Sequence, residues 1–291
     1  MPSKTANSAR ATRPRRHVAA SPLVITIDGP AGVGKSTAAQ LLARRLGLVY
    51  LDTGATYRAL AYAALKAGLH PIADAHRLPA MARHLPLQLR QASRGGLWVG
   101  LAGVDITTAI RTEAVSEAAA QISQYPEVRA AMVELQRSLV SPQGVVVEGR
   151  DTGSIVFPHA THKFFLDADP RVRARRRQGE LSRLYGSKPP LAQVEEQLRF
   201  RDGLDRTRRV GPLVKPAGAA TIDTTHRTAL QVVRAMLQHI TTKPQAAGFP
   251  GPPGVSPGRA GSKRGARNAM PRLRREVGAQ RSASCSVRPA A

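Results

Sequence analysis

The chain has 291 residues, a hydrophobic fraction of 42% and a formal net charge of +25. No apolar run approaches the roughly 20 residues that a membrane-spanning helix needs, and the one cysteine, Cys285, excludes an intramolecular disulfide framework. These features predict a cytoplasmic protein without a membrane partner, with residues enough for one large domain or two small ones.

The positive charge is concentrated at the two ends of the chain. Residues 1–22 carry five basic residues and no acid, and residues 244–291 carry nine basic residues, one acid, seven prolines and seven glycines. Neither segment has a hydrophobic period, so both are predicted to be disordered. The alternatives are an organelle transit peptide for the first segment and electrostatic adhesion to nucleic acid or acidic lipid for the second.

The first predicted elements are a strand over 23–28 and a helix over 36–46, with a phosphate-binding loop between them. The loop fits the pattern of glycine, four residues, then Gly-Lys-Ser. Its glycines let successive backbone N–H groups face phosphate oxygens, Lys35 would reach the β- and γ-phosphates, and the Ser36 hydroxyl would ligate Mg²⁺. The residues assigned to ATP are Gly29, Pro30, Ala31, Gly32, Val33, Gly34, Lys35, Ser36 and Thr37.

Short apolar runs then alternate with helical patterns, which predicts a parallel sheet covered by helices. The further strands are 48–51, 144–148, 162–167 and 219–223. The further helices are 54–67, 112–124, 126–140, 170–180, 190–203 and 226–240. Residues 85–106, with Gly95-Gly96 between apolar runs, predict a small hairpin or sheet inserted into this α/β body.

Arginines cluster where these strands end. Arg58 follows the second strand, and Arg150-Asp151 follows the third. One later helix carries Arg173, Arg175, Arg176 and Arg177, and a further arginine-bearing run extends from Arg201 to Arg209. Ligands of parallel sheets bind beyond the carboxyl ends of the strands. Guanidinium groups grip phosphate at two points, so the pattern favours two phosphate-bearing substrates that must meet.

Other phosphate-loop proteins fit less well. A GTPase would need a guanine-reading Asn/Thr-Lys-x-Asp, which the sequence lacks. A helicase or transport ATPase would have a strand ending in a magnesium-ordering Asp. Two strands here end in an acid, Glu148 and Asp167, but the run Gly149-Arg150-Asp151 after the first is the more informative signal.

The sequence resembles the bacterial cytidylate kinases, a family of nucleoside monophosphate kinases, in motifs that span about 23–240. The matching stretches are 25–36 (ITIDGPAGVGKS), 51–58 (LDTGATYR), 110–112 (IRT), 126–129 (PEVR), 148–153 (EGRDTG), 156–158 (VFP), 163–168 (KFFLDA), 201–208 (RDGLDRTR) and 212–213 (PL).

The resemblance implies transfer of a phosphoryl group from ATP to CMP or dCMP, with Mg²⁺. It implies a P-loop three-layer α/β fold with a five-stranded parallel sheet over 23–243, an inserted monophosphate-binding domain at about 70–143, a lid at about 171–190 and a monomeric state. The CMP and dCMP site would contain Thr53, Tyr57 and Arg58, with Arg150 and Arg201 on the acceptor phosphate. The cytosine readers would be Arg129 and Asp151, the lid arginines Arg176 and Arg177, and the pentose contacts Asp205 and Arg208. Lys35, Arg150, Asp151, Arg176, Arg177 and Arg201 form the predicted catalytic set.

One position departs from the family pattern. A serine that commonly precedes the cytosine-reading arginine by nine residues, and is expected to touch the base, is replaced by Ala120. The loss of a hydrogen bond leaves UMP or another monophosphate as an alternative acceptor. A non-enzymatic alternative is a nucleotide-dependent nucleic-acid binder that uses the basic tails, although the sequence has no aromatic and basic interleaving and we expect no specific nucleic-acid partner.

Overall fold

The structure is a computed structural model that describes residues 22–92, 96–186 and 188–242. In chain order the elements are β1 (Val24–Asp28), α1 (Lys35–Leu46), β2 (Val49–Asp52), α2 (Thr53–Lys66), α3 (Leu78–Arg83), β3 (Leu87–Gln91), β4 (Leu97–Leu101), β5 (Val104–Asp105), α4 (Glu113–Ile122), α5 (Pro126–Ser138), β6 (Val145–Gly149), β7 (His162–Asp167), α6 (Pro170–Tyr185), α7 (Leu191–Thr207), β8 (Ala220–Asp223) and α8 (Ala229–Thr242). Single helical turns occur at Ala75–Arg77, Ala109–Arg111 and Thr152–Val156.

The central sheet has five parallel strands in the order β2-β6-β1-β7-β8. All five predicted strands are confirmed to within about one residue. Every residue of β1 and of β6 is buried. Alternate residues of these strands belong to two separate apolar clusters, so both faces of the sheet are covered. This explains why the strands read as continuous apolar runs instead of alternating with polar residues.

Two helices are longer than predicted. The helix predicted over 170–180 continues to Tyr185, and the helix predicted over 190–203 continues to Thr207. A single glycine inside a helix costs only about 1 kcal/mol, so Gly179 does not end α6. The helix ends at Gly186, whose φ of 69° is left-handed. Helix α3 was not predicted.

A second, three-stranded antiparallel sheet has the order β3-β4-β5 and confirms the small sheet predicted over 85–106. Gly95 of its predicted turn lies outside the described residues. So do the terminal segments 1–22 and 244–291, apart from Pro22. Within the described part of the chain, no helix combines the length and apolarity needed to cross a lipid bilayer.

The register of the central sheet brings three chain segments together at the carboxyl ends of its strands. Asp28, the last residue of β1, pairs with Gly149 of β6, and Asp52 of β2 pairs with Glu148. The chain leaves this edge as the phosphate loop after β1, as α2 after β2, and as Arg150-Asp151 after β6. The carboxyl edge of a parallel sheet is where ligands of this architecture bind.

Candidate active site

A cavity of about 220 Å³, which we call the nucleotide cavity, opens at this edge of the sheet. Its walls come from the phosphate loop, α2, α4, the end of β6 and the two helices α6 and α7. The lining includes Lys35, Ser36, Thr53, Tyr57, Arg58, Ala120, Arg150, Asp151, Arg177, Arg201, Asp205 and Arg208. Residues from six separate sequence segments that the sequence analysis singled out therefore meet in one place.

The phosphate loop has the backbone geometry that its glycines predict. Gly29 has a φ of 148°, and a Cβ there would lie 2.1 Å from the Leu166 carbonyl oxygen, so only glycine fits between β1 and β7. Lys35 is buried and donates a 2.7 Å hydrogen bond to the Pro30 carbonyl. Burial, with repulsion from Arg150, lowers the pKa of Lys35 to about 7. Ser36 and Thr37 are exposed at the mouth of the loop.

An ion pair between α6 and α7 fixes the loop from outside. The Arg173 guanidinium pairs with the Asp202 carboxylate. Arg173 also donates to the Ala31 carbonyl at 3.2 Å, and the Ala31 N–H donates to Asp202 at 3.3 Å. Sequence reasoning placed Arg173 only on an arginine-bearing helix and missed Asp202. The pair follows from the packing of α6 on α7, which no local pattern reveals.

Buried acids lie beneath the loop. Asp28 accepts 2.8 Å hydrogen bonds from the Thr152 N–H, the Thr152 hydroxyl and the Gly153 N–H. Burial raises the pKa of Asp28 to about 6, although these hydrogen bonds oppose the shift. Glu148 accepts a 2.7 Å hydrogen bond from the Tyr50 hydroxyl. Burial and repulsion from Asp52 raise the pKa of Glu148, and contacts with Lys35 and Ser36 oppose this.

Three arginines converge beside the loop. Arg58 pairs with Asp52 at 2.7 Å, and Arg150 pairs with Asp205 at 2.8 Å. Among the described residues, no carboxylate lies within ion-pair distance of Arg201. Burial, together with repulsion from Arg150, lowers the pKa of the Arg201 guanidinium to about 10. The cluster therefore holds a positive charge that nothing in the described structure neutralises, as an anion site requires.

The predicted base-reading residues form a buried pair at the other end of the cavity. Arg129, which is 1% exposed, pairs with the Asp151 carboxylate and donates a 3.3 Å hydrogen bond to the Ser123 carbonyl. Its guanidinium carbon lies 5.6 Å from the centre of the Tyr57 ring. Gly211 closes over the pair, since a Cβ there would lie 2.3 Å from Asp151. Sequence reasoning missed Gly211.

Several buried donors at these sites have no partner. Among the described residues, Arg58 Nε, Arg129 Nε, and both Nε and Nη2 of Arg208 make no hydrogen bond. Burial and repulsion from Arg129 lower the pKa of Arg208. An unmet buried donor is costly, so this arrangement favours a ligand that brings acceptors into the cavity.

The structure separates the two predicted lid arginines. Arg177 lines the nucleotide cavity and pairs with Glu180 at 2.9 Å. Arg176 does not line it; its guanidinium donates to the hydroxyl and carbonyl of Thr224 at 3.0 and 2.6 Å. Arg111, which no prediction used, lines the cavity opposite α6. Its motif, Ile110-Arg111-Thr112, was the available signal.

The fold and this cavity define a P-loop protein of the kind that handles two phosphate-bearing groups. The family model described as cytidylate kinase matches residues 25–242. The cytidylate kinase of Symbiobacterium thermophilum is 45% identical over 217 residues, covering 75% of this chain and 95% of that protein. The cytidylate kinase of Pelotomaculum thermopropionicum is 43% identical over 217 residues, with the same coverages. That of Solibacter usitatus is 42% identical over 223 residues, covering 76% and 93%. The chain belongs to the cytidylate kinase family and is a phosphotransferase, which confirms the predicted resemblance.

Proposed function

We propose that this chain transfers the γ-phosphoryl group of ATP to CMP or dCMP, giving ADP and CDP or dCDP. One observation carries the proposal. The nucleotide cavity is lined by a phosphate loop, by more arginines than the lining acids can neutralise, and by Asp151, whose carboxylate pairs with the buried Arg129. The order of these parts matches the order of a phosphate donor, a transferred group and an acceptor nucleotide.

The donor end would bind the phosphates of ATP through the loop backbone and Lys35. Lys35 lies over the loop carbonyl of Pro30, from which it can turn to the β- and γ-phosphates. The Arg173–Asp202 pair holds the loop at Ala31, so little reorganisation is needed when phosphate binds.

The residues near the loop also fit a magnesium ion. The Ser36 hydroxyl and the Glu148 carboxylate line the same cavity, and oxygen donors are the ligands that Mg²⁺ prefers. Among the described residues, no three His, Cys, Asp or Glu side chains converge on a metal site. A Mg²⁺ held mainly by ATP phosphates and water, with Ser36 as a direct ligand and Glu148 near it, agrees with both facts. When bound, such an ion would supply positive charge that stabilises the transferred group.

The acceptor phosphate would lie between Arg58, Arg150 and Arg201. Arg201 has no acid partner in the described structure, and Arg58 has an unused buried Nε–H. A nucleoside monophosphate brings its own anionic oxygen, so the transfer needs alignment and charge stabilisation instead of a catalytic base. Arg177, on the wall formed by α6, would place its positive charge beside the transferred group and stabilise the negative charge there.

The base and the pentose would be recognised at the far end. The amino group of cytosine can donate a hydrogen bond to the Asp151 carboxylate, and its ring nitrogen and carbonyl can accept hydrogen bonds from Arg129. Uracil reverses part of this pattern. Asp205 and Arg208 line the cavity next to this pair, and Arg208 has two unpartnered donors for pentose or base oxygens.

We further propose the domain roles that the resemblance implies: a monophosphate-binding insert at about 70–143 and a lid at about 171–190. Their support is that the Tyr185 hydroxyl at the end of α6 donates to the Arg111 carbonyl, and Gln197 of α7 donates to Glu113 at 3.1 Å. These bonds connect the two sides of the cavity. The protein acts as a cytoplasmic monomer, without a nucleic-acid partner.

The test is ADP release from Mg-ATP with CMP, dCMP, UMP, AMP or GMP as acceptor, against a blank without acceptor. We expect turnover on CMP and dCMP. Equal use of UMP would support the alternative that Ala120 leaves open, a kinase with relaxed base choice. Absence of acceptor-dependent turnover on every nucleotide would contradict the proposal. Deletion of 1–22 and 244–291 should leave the activity intact.

A further inference from the structure

A second cavity lies against the nucleotide cavity, on the other side of α4. This outer cavity has a volume of about 650 Å³. Its apolar walls come from Ile72, Tyr125, Val194, Leu198, Phe200 and Leu204. Phe200 and Ile72 are 69% and 60% exposed, so the cavity also opens to solvent. Nothing in the proposed transfer of a phosphoryl group to CMP uses this space.

The two cavities share part of their lining. Ser116, Ala120, Arg177, Leu198 and Arg201 line both. On α4 and the two residues that follow it, Ala119 and Ser123 line only the nucleotide cavity, whereas Gln121 and Gln124 line only the outer one. The stripe of Ser116 and Ala120, one helical turn apart, is therefore the boundary. At Ala120 the side chain ends at Cβ, which makes this the thinnest part of that boundary.

Ala120 also lies close to the base-reading pair. The Ser123 hydroxyl donates to the Ala120 carbonyl at 2.8 Å, and the Ser123 carbonyl accepts the 3.3 Å hydrogen bond from Arg129. One turn of helix thus connects the residue at the boundary with the residue that orients Arg129. A base held by Arg129 and Asp151 would therefore lie near this turn.

The C5 position of a pyrimidine is free to carry a group through this opening. Arg129 and Asp151 would bind the amino group, the ring nitrogen and the carbonyl of cytosine, and none of these atoms is C5. A substituent on C5 leaves the read atoms unchanged. Beyond Ala120 it would contact Leu198 and the other apolar side chains of the outer cavity.

We propose that the chain also accepts CMP and dCMP that carry an apolar substituent on C5 of the base, seated past Ala120 in the outer cavity. This inference rests on the proposed CMP kinase activity. Burial of a methyl group improves binding by about fourfold, so the gain should appear mainly as a lower KM.

The test compares kcat/KM for CMP, 5-methyl-CMP and 5-propynyl-CMP with Mg-ATP, in the wild type, Ala120→Leu and Gln121→Trp. We expect the wild type to use both analogues at least as well as CMP. Leucine at 120 closes the boundary and should lower the analogue-to-CMP ratio at least tenfold. Tryptophan at 121 extends from α4 into the outer cavity only, so it should lower the ratio for the propynyl compound and leave CMP turnover unchanged.

The outcomes separate the two proposals. Turnover of CMP with analogues used at least tenfold less well overturns the inference and leaves the proposed function standing. Analogue turnover that neither variant reduces also overturns it, because the substituent then lies elsewhere. No turnover of CMP overturns both. If circular dichroism shows that Ala120→Leu is misfolded, the analogue-to-CMP ratio of Gln121→Trp alone tests the inference.

Discussion

The two ends of the nucleotide cavity are built in different ways. The end that we propose for ATP, the donor end, is one continuous segment, in which backbone N–H groups and Lys35 follow directly from β1. The end that we propose for the base, the base end, draws Arg129 from α5, Asp151 from the end of β6, Tyr57 from α2 and Gly211 from the turn after α7. The first end depends on loop geometry, whereas the second depends on side chains that partner one another.

This difference separates catalysis from stability. Lys35 is buried with a lowered pKa, so its ammonium gains little from folding and its removal should spare the fold. Arg129 is buried against Asp151, so loss of the acid leaves a buried charge with a weaker partner. Substitutions at the donor end should therefore change turnover alone, and substitutions at the base end should change stability and selectivity together.

The largest effect is expected at Lys35. Lys35→Ala removes the side chain assigned to the β- and γ-phosphates, and loss of one such stabilising group lowers kcat by about 10²–10³-fold. The unfolding midpoint in urea should stay the same or rise, because a buried amine is removed. Steady-state kinetics and urea titrations measure the two quantities. The matched control is Lys163→Ala, which changes a half-buried lysine of β7 whose amine donates to the Pro158 carbonyl, and it should keep full turnover.

Asp151→Asn should produce the second largest effect, at the opposite end. The amide keeps the shape but has one acceptor oxygen where the carboxylate has two, which weakens the hydrogen bonding to the cytosine amino group. The CMP-to-UMP ratio of kcat/KM should therefore fall about 10–100-fold. The weaker partner for Arg129 should also lower the free energy of unfolding by about 1–3 kcal/mol.

The control for this change is Asp167→Asn, at the carboxyl end of β7 and outside the cavity. It removes the same charge and should alter neither quantity. Unchanged discrimination between CMP and UMP in Asp151→Asn would remove Asp151 from the base-reading residues. Unchanged stability would mean that the buried pair does not hold this end of the cavity together.

The contrast between the local donor end and the base end, which is assembled from distant segments, also explains which features could be predicted from the sequence. The phosphate loop and the five strands were predictable because their signals are local: a spaced motif, and apolar runs of four to six residues. The partnership of Arg129 with Asp151 came only from the family resemblance, since 22 residues separate them in the chain. The contacts of Asp28, Asp202 and Gly211 were missed, because each acts on a segment that only the folded chain brings near.

Arg176 shows the limit of a motif. It lies beside Arg177 in the sequence, and both were predicted to face the phosphates. Neighbouring residues on a helix point about 100° apart, so only Arg177 reaches the cavity while Arg176 contacts Thr224. The Thr224 hydroxyl in turn donates to the Val33 carbonyl at 3.0 Å, which connects Arg176 to the back of the phosphate loop.

Asp28 connects the two ends, and its substitution should have an intermediate effect. Asp28→Asn replaces one acceptor oxygen by an N–H₂ group that faces the N–H of Thr152 or Gly153, next to Asp151. We expect a loss of about 1–3 kcal/mol in the free energy of unfolding. We also expect kcat/KM for CMP to fall about tenfold because Asp151 is displaced. Thr152→Val, which removes one of the three hydrogen bonds and keeps the carboxylate, should do less.

The pH dependence gives an independent check on Asp28. Its pKa is about 6 in the folded protein against an ordinary value of 3.8, so the folded state binds more protons between these values. Through this group, stability rises as the pH falls from 6 toward 4, and the contribution is lost as the pH rises through 6. The stability of the wild type relative to Asp28→Asn should therefore increase on acidification. A difference that stays constant from pH 7 to pH 4 would contradict the raised pKa.

The smallest effect is expected at Tyr185, where the bond crosses the cavity instead of lying within one end. Tyr185→Phe removes the hydrogen bond to the Arg111 carbonyl, and Tyr185 is 44% exposed, so the bond contributes less than about 1 kcal/mol. If α6 closes over the substrates, KM for both CMP and ATP should rise about two- to fivefold. Tyr125→Phe also removes a hydroxyl that donates to a backbone carbonyl, that of Pro71 at 3.1 Å, but both partners lie on one side of the cavity. Equal KM values in the two variants would mean that the Tyr185 bond has no part in closing the cavity.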